Sequence, residues 1–148
     1  MNLLNLYFTI RGRLSRSQYW LGMLGVAIAA AIMFAIVWLS SYPLLALPFI
    51  LFVFVSVYTL AIKRLHDRGK SGWWTLVFLL VPGTLDRMSD KLTEGTVLWW
   101  VLVIAGSVLS LWGLIEVGFR RGTAGDNHYG PDPLAKTGTD AIPGAVNP

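Results

Sequence analysis

From Ser17 to Ile62 the chain carries no Asp, Glu, Lys or Arg. No water-soluble fold of this size can cover such a run with polar surface. It would leave wide apolar patches, which soluble monomers rarely expose. A bilayer removes the difficulty, because every backbone polar group is satisfied inside a helix and lipid accepts apolar side chains. The apolar run after Arg16 is too long for the core of a cleavable signal peptide and is read as a retained first membrane helix. Only 14% of the residues are charged against 55% hydrophobic. The net charge of +4 lies mostly outside the apolar segments. Such a distribution points to orientation in the membrane and attraction to anionic headgroups rather than to nucleic acid. With no cysteine, disulfides and thiol nucleophiles are excluded.

About 20 apolar residues cross a bilayer core. Residues 19–41 form the clearest span, bracketed by Tyr19 and Trp20 at one end and Trp38 and Tyr42 at the other, as aromatic belts require. Gly25 with Ala29, and the series Ala27, Ala31 and Ala35, repeat every four residues, a pattern that lets helices approach closely. That face is expected to pack on the second span, 44–62, which follows a tight turn. Residues 63–72 read as a polar loop. The apolar stretch 73–85 is short and contains Pro82-Gly83, a strong breaker. It is either a short span extended by the following residues or a re-entrant helix. The last span covers 97–119, with Gly106 and Ser110 as a second small-residue face. Residues 2–18 either lie on the headgroup layer through Leu3, Leu4, Tyr7, Phe8 and Leu14 or form a short cytosolic arm. Residues 135–148 read as a disordered tail, leaving 1–134 as a single domain.

Four spans with cytoplasmic termini place Arg11, Arg13, Arg16, Lys63, Arg64, Arg68, Lys70, Arg120, Arg121 and Lys136 inside, and only Arg87 and Lys91 outside. That is a strong positive-inside bias, and a re-entrant third segment would weaken it. The expected fold is therefore an all-α, four-span bundle with an interfacial N-terminal segment and a cytoplasmic C-terminal loop.

The densest polar constellation is Arg64 to Trp74 (RLHDRGKSGWW). His66 and Asp67 are adjacent and so point about 100° apart on a helix, which argues against joint acid–base work. Arg64 and Arg68 are four apart and could clamp a phosphate between them. Ser71 reads as a helix cap, and Trp73 and Trp74 as interfacial anchors. Glu116 is the one acid inside an apolar span. Its four-residue spacing to Arg120 suggests an ion pair at the interface, with proton coupling as the alternative. The two histidines stand at no metal-type spacing. Neither a metal nor another cofactor is expected.

Three separated motifs resemble one family: GRLSRSQYW at 12–20, RLHDRGKSGWW at 64–74 and GTAGDNHYGPDP at 122–133. In order and spacing they are similar to the small bacterial inner-membrane proteins catalogued as a domain of unknown function, DUF805, typified by YhaH and YhaI. The resemblance covers residues 5–134 and departs from many members over 84–100. It implies an inner-membrane location and carries no catalytic role. The leading expectation is a binding or scaffolding module. Its three motifs would form one cytoplasmic cap, with Arg13, Arg64, His66, Asp67, Arg68, Trp73, Trp74, Asn127 and Tyr129 building it or contacting anionic lipid or a partner protein, including a second copy. A small oligomeric transporter or channel subunit with a path near Glu116, and a lipid-modifying enzyme using His66 and Asp67, are the alternatives.

Overall fold

The computed structural model describes residues 2–40 and 42–135; the expected disordered tail falls, from residue 136 onward, outside the described residues. Among the described residues the chain is all-helical: α1 (Leu3–Phe8), α2 (Arg16–Ser40), α3 (Ala46–Asp67), α4 (Trp74–Ser89) and α5 (Val97–Leu114). A 3₁₀ turn, Pro43–Leu45, leads into α3, and a π-helical turn, Ile115–Phe119, continues α5.

Three helices are long and apolar enough to cross a membrane: α2, α3 and α5 with its π turn. Helix α4, at 16 residues, is about 24 Å long at 1.5 Å per residue, short of a hydrocarbon core of about 30 Å. Pro82 does not break it. The helix runs through Pro82-Gly83 to Ser89, and the Thr84 hydroxyl donates to the Val81 carbonyl at 2.7 Å.

The helices form two antiparallel hairpins. In the first, Gly22 of α2 faces Leu60 of α3 so closely that a Cβ would stand 2.8 Å from its Cδ2. In the second, Phe78 of α4 lies on Trp112 of α5, ring centroids 5.2 Å apart, and Gly106 meets Pro82 and Leu85. Gly106 thus packs as its small size suggests. The alanine series does not: Ala27, Ala31 and Ala35 are exposed. The face of α2 turned to the interior carries Tyr19, Gly22 and Val26 instead. Several four-residue repeats of small side chains share this helix, and only the partner's shape selects among them.

Helix α1 stands neither free nor apart from the bundle. The Tyr7 hydroxyl donates to the Gly22 carbonyl at 3.2 Å, and Tyr7 and Phe8 rest on Phe52 of α3. Lys63, 2% exposed, donates to the carbonyls of Asn5 and Leu6, satisfying acceptors near the end of this short helix. The buried apolar core gathers at one end of the bundle, around Leu14, Tyr19, Leu60, Leu65, Phe78 and Val117. The three polar motifs meet at that end.

Candidate functional site

The second motif begins in a helix, Arg64 to Asp67, where the sequence suggests a loop, and only residues 68–73 form the connection. Helix α3 continues to Asp67, so Lys63, Arg64, His66 and Asp67 occupy its last turns and Arg68 its C-cap. A helix leaves its final carbonyls without partners. Here the third motif supplies donors. The Thr123 backbone N–H and hydroxyl both donate to the Asp67 carbonyl, at 2.8 and 3.0 Å. The Asn127 side-chain amide donates to the His66 carbonyl at 3.0 Å. Gly122 runs against the Asp67 carboxylate so tightly that a Cβ there would overlap it. Only glycine allows that approach.

Asp67 is the hinge of the cluster. One carboxylate oxygen pairs with Arg13 at 3.0 Å and the other with Arg64. All three side chains are 4% exposed or less. Each guanidinium spends its remaining donors on backbone carbonyls, in the manner suited to its planar fork. Arg13 donates to Thr123 and Gly125, both at 2.6 Å. Arg64 donates to Val117 at 3.0 Å, to Leu14 at 3.3 Å and to Arg120. Arg64 is fully buried and joins the first and second motifs to the end of α5. It shares no phosphate-clamping face with Arg68, because the helix ends between them and the interior has already taken its donors.

A second cluster surrounds Glu116, which is fully buried in the π turn. Arg120 pairs with it at 3.0 Å, as the four-residue spacing suggests. Arg68 and Lys70 join at 2.9 and 2.8 Å. The π turn is visible in the bond from the Arg120 N–H to the Ile115 carbonyl at 3.1 Å; such turns often occur at functional positions. Lys70 also lies 5.3 Å from the Trp74 ring, within cation–π range. Trp74 stacks on Phe78 and lies edge-on to Trp112 while staying partly exposed, whereas Trp73 is 76% exposed. The Ser71 hydroxyl accepts from the Trp73 N–H at 3.4 Å, one residue ahead of the first turn of α4.

His66 and Asp67 serve different neighbours. The His66 ring stacks on Tyr129, centroids 3.9 Å apart and nearly parallel, with Nδ1 3.3 Å from the Gly12 carbonyl. In the exposed loop beyond, the Leu134 and Gly125 N–H groups donate to Asp132 and hold its carboxyl below the usual range. The expected residues Arg13, Arg64, His66, Asp67, Asn127 and Tyr129 therefore converge, and Arg68 joins Glu116 beside them. Lys70, Gly122 and Thr123 act in the same assembly. Two of them stand inside the third motif, but their partners lie more than 50 residues away, beyond any local signal.

The family described as "Protein of unknown function (DUF805)" matches residues 7–131. The chain belongs to this family. The match runs from α1 to the third motif and takes in both clusters. Inner membrane protein YhaI of Escherichia coli K12 is 38% identical over 100 residues, covering 65% of this chain and 84% of YhaI. Uncharacterized protein YiiR of the same strain is 30% identical over 129 residues, 84% of this chain and 86% of YiiR. Inner membrane protein YhaH is 24% identical over 139 residues, 90% and 93% of the two chains. No solved structure matches. With three helices able to cross a bilayer, the chain is a transmembrane member of the family.

Proposed function

We propose that this protein is a non-enzymatic binding module of the bacterial inner membrane. Its polar cap faces the cytoplasm and contacts anionic lipid headgroups through the cap's outer cations. The observation that carries this reading is the division of the arginines into two sets. Arg13 and Arg64 are consumed inside the cap by Asp67 and backbone carbonyls. Arg11, Arg16, Arg120 and Arg121 form an exposed set at the same end. The buried set fixes the fold, and the outer set meets the headgroup layer.

A four-pass path with both ends cytoplasmic agrees with this division. The start of α2, the end of α3 and the end of α5 meet at one place, through Arg64 on Leu14 and Val117 and through Trp20 on the Gly118 carbonyl at 3.1 Å. Helix α4 then makes a short traverse alongside α5. A catalytic reading of His66 and Asp67 has no such support, since the two side chains face separate partners.

Each basic group near an anionic leaflet contributes about 1 kcal/mol. Changing Arg11, Arg16 and Arg121 together to Gln is therefore expected to lower the ratio of phosphatidylglycerol and cardiolipin to phosphatidylethanolamine co-extracted in nanodiscs, by tenfold or more. An unchanged ratio in a protein that still inserts would refute the reading.

A further inference from the structure

Between the two hairpins lies a cavity of about 370 Å³, a volume typical of ligand pockets. Tyr19, Ala61, Thr75, Phe78, Pro82 and Ser110 line it, so four helices contribute. Leu79, Ser110 and Leu114 of its lining are exposed, so the cavity is an open cleft, and its largely apolar walls disfavour water as the filling. Three hydroxyl-bearing side chains, Tyr19, Thr75 and Ser110, interrupt the apolar lining. The hydroxyl of Thr75, a residue 1% exposed, has no hydrogen-bond partner among the described residues. Thr75 is the second residue of α4, and its hydroxyl makes no bond to a carbonyl of the preceding turn, the usual partner of a helical threonine. A buried hydroxyl left in this state is costly, and a ligand bearing an acceptor at that depth would satisfy it.

The cap-side end of the cavity is marked by Val117 and Tyr19. Just beyond Val117 stands the Glu116 cluster, where Arg68, Lys70 and Arg120 surround a single carboxylate, leaving two positive charges in surplus. Lys70 and Arg120 keep part of their side chains exposed, 30% and 55%. The order from the cap inward is thus surplus cations, an unpartnered hydroxyl, then a largely apolar cavity. A phospholipid carries the complementary order of phosphate, ester carbonyl and acyl chain.

We propose that the hairpins hold one phospholipid between them, with its phosphate against Lys70 and Arg120, an ester carbonyl accepting from the Thr75 hydroxyl and one acyl chain in the cavity. The site deepens the headgroup-binding reading and rests on it, while adding a specific, chain-dependent seat.

The test uses the full-length protein, delipidated in non-ionic detergent, and its thermal unfolding. Dioleoylphosphatidylglycerol at about 100 times its Kd should raise Tm by roughly 5–10 °C. Glycerol 3-phosphate, which lacks chains, and dioleoylglycerol, which lacks the phosphate, should each give less than half that shift. Thr75→Val keeps the shape and removes the unpartnered hydroxyl. It should melt no lower than wild type without lipid yet lose most of the lipid-induced shift. Ala61→Leu, which fills the cavity, should lose it too. The triple Gln variant at Arg11, Arg16 and Arg121 should keep the shift while losing nanodisc enrichment. A shift of full size in both Thr75→Val and Ala61→Leu, or one reproduced by glycerol 3-phosphate, would overturn the seated lipid while leaving the headgroup reading intact.

Discussion

The two ends of the bundle are built on different principles. At the cap end, buried side chains include Arg13, Lys63, Arg64, Asp67 and Glu116 alongside the apolar core. At the far end, Trp38, Leu39, Leu44 and Val97 are each more than three-quarters exposed. In lipid, apolar surface gives helices little reason to associate, because hydrocarbon receives it as well as a protein neighbour does. Polar groups have a strong reason, since an unsatisfied one is expensive there. The cap thus ties the hairpins together, and the far end is held by its tight turns and by lipid.

Perturbations at the two ends should therefore differ sharply. Asp67→Ala removes the carboxylate that serves both Arg13 and Arg64. Uncompensated buried charge typically costs about 3–5 kcal/mol, and unfolding in SDS titrations should report a loss of that size. Glu116→Gln should lose less, about 1–3 kcal/mol, because its cations are partly exposed and solvent screens them. Gly122→Ala forces a methyl group against the Asp67 carboxylate. An overpacking cost of about 1–2 kcal/mol is expected, together with faster proteolysis of the loop after Arg121. Trp38→Ala at the far end should change stability by less than about 0.5 kcal/mol. A loss at Trp38 equal to that at Glu116 would erase the contrast.

Hydropathy made the three long helices legible, because a charge-free run of that length has one solution in water-facing biology. The three motifs were legible as a set, and Glu116 with Arg120 as a pair, since four-residue spacing is local. Rotation of α2 was not, because Gly22, Gly25, Ala27, Ala29, Ala31 and Ala35 offer several competing small faces and the choice depends on Leu60 and Tyr7. The end of α3 was hidden for a related reason. Charged residues mark the edge of hydrocarbon, not the end of a helix, and this helix continues because Thr123 and Asn127 satisfy its last carbonyls. The fate of the arginines was the least legible feature. A sequence shows a positive charge, but whether its donors meet phosphates or carbonyls depends on backbone more than 50 residues away, as with Arg64 and Val117.

That the buried arginines act as internal ties is tested most directly by a double-mutant cycle on Arg13→Gln and Asp67→Asn, read by reversible unfolding in mixed micelles. Residues in one buried network couple by roughly 0.5–3 kcal/mol, and this pair is expected to couple by about 2 kcal/mol or more. Additivity within about 0.5 kcal/mol would show that Arg13 and Asp67 do not hold each other, and the cap would no longer explain the fold.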